Sequence, residues 1–169
     1  MKTLFVLRHA KSSWDNPDWS DFERPLNDRG LRAARFIGEL IAARGLAPRK
    51  IISSPARRAE QTARIVTEAA RIAEPIAFDE RIYEASPITL YNLVRKFDRR
   101  WDSVLLVGHN PGFEELVRLL TGEAIAMPTA ALAKINLPID DWREIKSGKS
   151  ELEFLIRPKE EMKKLGGDS

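Results

Sequence analysis

The segment Ser103-Val104-Leu105-Leu106-Val107 contains four consecutive aliphatic residues and no charged side chain. A strand with one face in water alternates apolar with polar residues, whereas a strand that is buried on both faces is continuously apolar. Strands of the second kind occur in parallel sheets that helices cover on both sides. The segment therefore indicates an α/β fold, with this strand in the interior of a parallel sheet.

Strand-like and helical segments alternate on both sides of residues 103–107. Such alternation predicts a mostly parallel sheet between two layers of helices, which is a three-layer α/β/α sandwich. Segments 131–137 and 151–156 follow one another without a helix, so we expect an antiparallel edge strand, with a turn over 138–149. The other predicted strands are 3–7, 50–53 and 75–79, and the predicted helices are 28–44, 56–73, 88–97 and 113–121.

A single domain accounts for the 169 residues of the chain. No repeat, low-complexity segment or linker divides it, so we assign residues 1–157 to one domain. Residues 158–169 are a charged tail that ends in Gly-Gly-Asp-Ser, and we expect it to be frayed or a loose helix. No apolar run approaches the roughly 18–20 residues that a membrane span requires.

The charged residues are well mixed along the chain, with 28 basic and 25 acidic side chains and a net charge of +3. Proteins that bind nucleic acid usually gather Lys and Arg in one run or on one face, and no long basic run is present. The absence of cysteine excludes disulfides, a thiol nucleophile and cysteine-bound metal. We therefore expect a cytoplasmic protein that binds neither nucleic acid nor membrane.

The only two histidines each follow directly after a predicted strand, in Leu7-Arg8-His9 and in Val107-Gly108-His109. Ligands of parallel α/β sheets bind beyond the carboxyl ends of the strands, so both histidines are expected at the ligand-binding edge. A single histidine is most often a hydrogen-bonded structural residue. Because both histidines of the chain lie at such positions, a catalytic site is favoured instead.

Arg8-His9 is the first of four segments that together resemble a known family. In this order they are similar to the motifs of the histidine phosphatase superfamily, the RHG phosphatases, which include cofactor-dependent phosphoglycerate mutases. Ala10 stands where most of the family has glycine, a departure that is frequent in the small bacterial branch resembling the phosphohistidine phosphatase SixA. The other three segments are Arg24-Pro25-Leu26-Asn27-Asp28-Arg29-Gly30, Ser54-Pro55-Ala56-Arg57-Arg58-Ala59-Glu60-Gln61-Thr62 and Val107-Gly108-His109-Asn110.

This resemblance implies roles for individual side chains. His9 would attack the phosphoryl group and form a phosphohistidine intermediate. Arg8, Arg58 and His109 would bind the phosphoryl oxygens and complete the catalytic set. The catalytic arginine of the family stands three residues after the proline of its motif, which selects Arg58 rather than Arg57.

A general acid is implied by the segment Asp79-Glu80-Arg81-Ile82-Tyr83-Glu84, which is similar to the family segment whose glutamate protonates the leaving group. The alignment selects Glu84, with Glu80 as the alternative, and a solvated carboxylate without a catalytic role is also open. An alcohol leaving group needs such an acid, whereas a protonated phosphohistidine ring leaves as neutral imidazole. Glu84 would therefore matter more for phosphate esters than for phosphohistidine.

The chemistry of phosphoryl transfer agrees with these residues. Negative charge spreads over the equatorial oxygens in the transition state, and each guanidinium group, such as those of Arg8 and Arg58, matches two phosphate oxygens. A histidine with an ordinary pKa of about 6.5 is largely neutral at pH 7 and can act as a nucleophile. Two histidines without a clustered Asp/Glu pattern do not make a metal site, so we expect neither metal nor cofactor.

Other polar residues flank the predicted site. Ser12 is a candidate for a phosphate contact. Asn110 is a second candidate, through a backbone N–H near a helix N-terminus, although it could serve only to begin the helix. Lys11 and Arg57 are expected to be charges on the rim that attract an anion.

The segment between the third strand and the central strand, about 79–102, has room for one loop and one helix. Mutases and many small-molecule phosphatases of the family it resembles carry long helical insertions over the active site. A pocket without this roof could admit a phosphorylated side chain, so the favoured substrate is phosphohistidine on a phosphotransfer domain or phosphocarrier protein. A phosphatase of small phosphomonoesters, such as phosphorylated metabolites, or of nucleotides is the alternative, and a non-catalytic phosphate-binding module is the third hypothesis.

Overall fold

A six-stranded sheet forms the centre of the protein in a computed structural model, which describes residues 1–165. The strands are β1 (Lys2–Arg8), β2 (Lys50–Ser53), β3 (Ile76–Phe78), β4 (Ser103–Gly108), β5 (Leu132–Leu137) and β6 (Glu151–Ile156). Their order across the sheet is β3-β2-β4-β1-β5-β6. The first four strands in this order are parallel, which confirms the prediction of a mostly parallel sheet.

The last two strands form the predicted antiparallel edge. β5 runs antiparallel to β1, and β6 runs antiparallel to β5. Because the chain direction reverses twice, β6 runs in the same direction as β1. Leu7 of β1 pairs with Leu132, and Leu132 pairs with Ile156 of β6, so both strands end at the same edge of the sheet.

Helices cover both faces of this sheet. The helices are α1 (Asp28–Ala43), α2 (Arg57–Ala69), α3 (Pro87–Arg95), α4 (Gly112–Thr121) and α5 (Pro158–Lys164). Side chains of α1 and α2 pack on one face, and side chains of α3 and α4 pack on the other. The protein is therefore the predicted three-layer α/β/α sandwich.

The central strand β4 contributes to both apolar cores. Val104 and Leu106 pack with the layer that contains α3 and α4, whereas Leu105 and Val107 pack with the layer that contains α1 and α2. All four side chains are completely buried. Successive side chains of a strand point to opposite faces, which is why a continuous apolar run suits a strand between two layers of helices.

Helix α2 ends four residues earlier than the sequence predicted. The apolar pattern suggested residues 56–73, but the helix ends at Ala69. Arg71 adopts a left-handed backbone with φ of +58°, and the N–H of Ile72 donates back to the carbonyl of Thr67 at 2.9 Å. This arrangement satisfies carbonyl groups at the end of the helix and turns the chain toward β3.

Two segments outside the main layers contain regular structure, a short turn of helix in the predicted turn and, in the tail, the helix that was the alternative to a frayed end. Residues 138–149 include a 3-10 turn, Trp142–Glu144, and the buried Trp142 ring donates from Nε1 to the carbonyl of Trp101 at 2.9 Å. In the tail, residues 158–164 form α5, and residues 166–169 lie outside the described part of the chain. No helix within residues 1–165 is long and apolar enough to cross a bilayer.

The register of the parallel strands places three chain segments together at one edge. Arg8 at the end of β1 pairs with Gly108 at the end of β4, and Ser53 of β2 pairs with Val107. The segments that follow these strands therefore emerge side by side. They carry most of the side chains that the sequence predicted for the site.

Candidate active site

The two histidines lie next to each other beyond the carboxyl ends of β1 and β4. Their ring centroids are 5.2 Å apart, and the residues are only 7% and 8% exposed for His9 and His109, respectively. The backbone N–H of His9 donates to the carbonyl of Gly108 at 2.9 Å, which joins the two segments directly. The rings of Tyr83 and His109 pack edge to face, with their centroids 5.5 Å apart.

The tautomer of His9 is fixed by a backbone carbonyl. Nδ1 lies 2.7 Å from the carbonyl oxygen of Ala10, and because a carbonyl only accepts, Nδ1 carries the proton. Nε2 is then left with its lone pair. Ala10 is held in turn by the hydroxyl of Thr62, which accepts from the Ala10 N–H at 3.0 Å and donates to the carbonyl of Arg58 at 2.7 Å.

His9 is neutral at physiological pH. Burial lowers its pKa to about 4, and the charges of Arg58, Arg8 and Arg24 act in the same direction. The bond to the carbonyl of Ala10 opposes this effect, since it favours a protonated ring. The nucleophilic form of the imidazole is therefore present throughout the neutral range.

His109 is oriented by Ser54. Its Nε2 lies 2.7 Å from Oγ of Ser54, and the same oxygen accepts from the N–H of Ala56 at 3.2 Å. We assign the Ser54 hydroxyl as the donor to Nε2, which leaves the ring proton on the buried Nδ1. Burial lowers the pKa of His109 to about 3, and repulsion from His9, once that ring is protonated, and from Arg58 acts in the same direction. This ring is therefore also neutral at pH 7.

Arg8, at the end of β1, and Arg58, in the first turn of α2, enter the site from two different elements. Nη1 of Arg8 donates to the carbonyl of Met127 at 3.0 Å. Arg58 donates from Nη1 to the Asp21 carbonyl at 2.6 Å and from Nη2 to its Oδ2 at 3.0 Å. The Arg58 side chain is 8% exposed, whereas that of Arg57 is 56% exposed. The structure thus places Arg58 in the site and Arg57 on the surface.

Arg24 is a second buried arginine of the site, besides Arg58. Its Nη1 donates to the hydroxyl of Ser12 at 2.9 Å, and its guanidinium carbon lies 3.5 Å from the ring centroid of Trp14. The sequence analysis placed Arg24 only in a segment that resembles the family, without a role. Ser12, predicted as a phosphate contact, is buried and holds this guanidinium. The burial of Arg24 depends on the path of the loop between β1 and α1, which periodicity does not predict.

Asp21 links Arg58 and Arg24 to Tyr83. It accepts from Arg58 at 3.0 Å, from Arg24 Nη2 at 3.1 Å and from the Tyr83 hydroxyl at 2.6 Å. Partial burial raises the pKa of Asp21, but the bonds from Tyr83 and Arg58 outweigh it and bring the pKa to about 2. Burial and the bond to Asp21 raise the pKa of Tyr83 to about 12. Sequence reasoning did not select Asp21, which lies in an irregular loop.

Four buried side-chain nitrogens of the described residues have no hydrogen-bond partner in the protein, and all belong to this site. They are Nε of Arg8, Nε of Arg24, Nε of Arg58 and Nδ1 of His109. Buried donors are normally satisfied, so such a group fits a ligand that supplies several acceptors. A phosphoryl group has this property. Among residues 1–165 no three His, Asp or Glu side chains are grouped as metal ligands would be.

The side chain of Asn110 has a structural role in the neighbouring loop. Its Nδ2 donates to Oε1 of Glu114 and to the carbonyl of Met127, both at 2.9 Å. Glu114 also accepts from the N–H of Met127 at 2.8 Å. Both amide hydrogens of Asn110 are therefore used to hold the segment that anchors Arg8. The side chain does not offer a free donor to phosphate.

The two candidate general acids lie in or next to a 3-10 turn, Glu80–Ile82, that precedes α3. Glu84 is exposed and follows Tyr83 directly, so its backbone adjoins the wall of the site. Its φ of +54° is in the left-handed region, which is unusual for a residue with a side chain. Glu80 is exposed as well and lies within the turn itself.

This parallel-sheet edge, with a neutral histidine among cationic donors, is chemically suited to bind a phosphoryl group. Residues 4–105 match the family profile named Histidine phosphatase superfamily (branch 1). A Mycobacterium tuberculosis protein without an assigned activity is 30% identical over 154 residues, covering 84% of this chain and 93% of that protein. The chain belongs to the histidine phosphatase superfamily, and it is a hydrolase of the phosphatase class.

Solved structures agree with this assignment. A candidate phosphohistidine phosphatase SixA from Agrobacterium tumefaciens is 30% identical and has a TM-score of 0.80, with 93% of this chain and 98% of that chain covered. The protein histidine phosphatase SixA complexed with tungstate shares the fold, with a TM-score of 0.76 at 23% identity, and 92% and 97% of the two chains are covered.

Proposed function

We propose that the protein is a metal-independent phosphatase that uses Nε2 of His9 as its nucleophile and removes phosphate from phosphohistidine on another protein. The observation that carries this proposal is the neutral His9, with Nδ1 bound to the Ala10 carbonyl, in a pocket with four buried donors that lack a protein partner. Arg8, Arg58 and His109 supply three of these donors.

The first step transfers the phosphoryl group to the enzyme. Nε2 of His9 attacks phosphorus in line with the leaving group, the P–Nε2 bond forms and the bond to the substrate breaks. Charge on the equatorial oxygens is stabilised by the guanidinium groups of Arg8, Arg24 and Arg58 and by the N–H of His109. The carbonyl of Ala10 stabilises the positive charge that the ring of His9 acquires.

The second step restores the enzyme. Water attacks the phosphorus of phosphohistidine, the P–Nε2 bond breaks, and inorganic phosphate leaves with the oxygen of that water. The same donors stabilise the same charges, since the two transition states are alike. His9 returns to the neutral state that its low pKa favours.

Phosphohistidine is the preferred substrate because it makes the smallest demand on a general acid. A substrate ring that is protonated on its second nitrogen departs as neutral imidazole, so catalysis does not require Glu84. The chain between β3 and β4 contains only a 3-10 turn and α3, which limits how far it can cover the site. This brevity favours a phosphorylated side chain of a phosphotransfer domain or phosphocarrier protein, and the resemblance to SixA structures supports the same class.

The test is to trap the intermediate with a peptide that carries radiolabelled phosphohistidine. Wild-type protein quenched in base is expected to retain an acid-labile label, and peptide mass spectrometry should locate it on His9. The His9→Gln variant should retain none, whereas His109→Gln, the matched control, should retain some label at a lower rate. Label on His9→Gln would exclude His9 as the nucleophile. Wild-type protein that binds phosphate but neither retains label nor hydrolyses the peptide would favour the binding-module hypothesis.

A further inference from the structure

A second positively charged feature lies beside the candidate active site. It is an open cleft of about 220 Å³ whose walls carry the basic side chains Lys11, Arg29, Arg32 and Lys159. We call it the basic cleft. Pro128 and Thr129 form part of the wall, and no carboxylate lines it. Neither His9 nor His109 lines the cleft.

The four cations of the basic cleft are not neutralised by the described part of the protein. All four are exposed, and none of them forms an ion pair with a residue in 1–165. The carboxylates of the neighbouring helix α5 are bound elsewhere. Glu160 lies 3.7 Å from Arg157, and Glu161 lies 3.7 Å from Arg44 and 3.4 Å from Lys164.

The basic cleft opens at the same edge of the sheet as the active site. Lys11 follows His9 by two residues, and Thr129 precedes Ala130, whose N–H donates to the carbonyl of His9 at 3.0 Å. β6 ends at the same edge as β1, so α5 with Lys159 begins there too. A protein that presents a side chain to His9 therefore places its adjoining surface over this cleft.

Close backbone packing keeps the walls of the cleft in register with His9. The N–H of Asn27 donates to the carbonyl of Lys11 at 3.0 Å, which attaches the start of α1 to the nucleophile loop. A Cβ at Gly30 would collide with the carbonyl of Lys11, so only glycine permits this approach. Arg29 and Arg32, on the first turns of α1, are thereby held at a fixed position relative to the site.

We propose that the basic cleft binds carboxylate side chains of the phosphoprotein substrate that surround its phosphohistidine, an inference that rests on the proposed function. The cations are exposed and come from three separate segments, α1, α5 and the His9 loop, and apolar residues lie between them. A phosphate subsite would instead use buried, converging donors like those around His9. Spread cations suit several carboxylates on a protein surface and increase the rate of association.

The test compares three substrates: free phosphohistidine and two peptides of equal length with a central phosphohistidine. The flanking residues of one peptide are Asp and Glu, and those of the other are Asn and Gln. At low salt, wild-type protein should have a higher kcat/KM for the acidic peptide. The double variant Arg32→Glu/Lys159→Glu should lower this preference about 10-fold and leave free phosphohistidine unaffected, which also shows that the variant is folded.

The matched control is Arg118→Glu/Lys146→Glu, which makes the same charge change at exposed positions away from the cleft. It should keep the wild-type preference. An unchanged preference in the cleft variant, or an equal loss on free phosphohistidine, would overturn the inference. Phosphoglycolate, a small phosphorylated carboxylic acid, is measured as an additional substrate, and a loss restricted to it would also overturn the inference. If wild-type protein hydrolyses none of the phosphohistidine substrates, the proposed function itself fails. If it hydrolyses them but does not discriminate between the two peptides, only the inference about the basic cleft fails.

Discussion

Oγ of Ser54 lies 2.7 Å from Nε2 of His109 and at the same time accepts from the backbone of Ala56. The serine thus connects the end of β2 to the histidine that follows β4. Because Ser54 is completely buried, no solvent molecule can easily replace this bond. The contact gives a buried ring one orientation, and we assign the ring proton to Nδ1, which has no hydrogen-bond partner in the protein.

Replacement of Ser54 by alanine should therefore lower kcat by about 10-fold, the value of one buried hydrogen bond to a group that stabilises the transition state. Ser54 acts through His109 as a positioning residue, so activity alone is not decisive. The ¹⁵N chemical shifts of His109 should show protonated Nδ1 and unprotonated Nε2 in wild type. A mixture of tautomers is expected in Ser54→Ala. Protonated Nε2 in wild type would contradict the assignment.

The two histidines should remain neutral far below their usual pKa. Burial lowers the pKa to about 4 for His9 and about 3 for His109. With only two histidines in the chain, their imidazole proton resonances can be assigned from His9→Gln and His109→Gln. Both resonances should stay flat between pH 8 and 5.5. Titration of either near pH 6.5 would show that the ring is not desolvated as the structure indicates.

The same pKa values set a direction for stability. An unfolded histidine has a pKa of about 6.5, so the unfolded chain binds more protons than the folded chain between pH 6.5 and 4. The free energy of unfolding should be fully retained above pH 6.5 and decrease as the pH falls through this window. Urea denaturation at pH 7 and pH 5 should show a smaller decrease for His9→Gln than for wild type. Equal decreases would argue against the low pKa.

The neighbouring arginines Arg57 and Arg58 should differ in their effect on rate. Arg58→Ala removes a buried charge from the phosphoryl pocket and should cost about 10²-fold or more in kcat/KM. Arg57→Ala removes an exposed charge and should cost little. Steady-state kinetics on one phosphohistidine peptide compares the two directly. A larger loss for Arg57→Ala would show that the assignment of the catalytic arginine is wrong.

Glu84 should matter for one class of substrate only. Glu84→Gln is expected to reduce hydrolysis of an alkyl phosphate by about 10²-fold, because general acids contribute at least this much to departure of an alkoxide. The loss on phosphohistidine should be less than about 3-fold, since imidazole leaves without an added proton. Glu80→Gln, in the adjoining 3-10 turn, is the matched control. If Glu80→Gln reproduces the loss on the ester, the acid is Glu80.

Strand ends were the most predictable part of this molecule. Continuous apolar runs predicted the positions of β1 and β4. Both strands end at the same edge of the sheet, so His9 and His109, which follow them, lie next to each other. Selecting Arg58 over its neighbour needed a family motif, because both arginines belong to the same helix. Arg24 and Asp21 could not be found in this way. They lie in an irregular loop whose path depends on tertiary contacts, such as the bond from Arg24 to Ser12, and no periodicity encodes these.

The carboxylate of Asp21 occupies donors of Arg58 and Arg24 that a phosphate would also use. Every phosphate ion that enters must compete with an anion that remains covalently attached to the enzyme at a high local concentration. Inorganic phosphate, the product of the reaction, meets this competition as soon as it is formed. A substrate phosphoryl group would meet the same competition, so Asp21 would weaken the binding of substrate and of product alike.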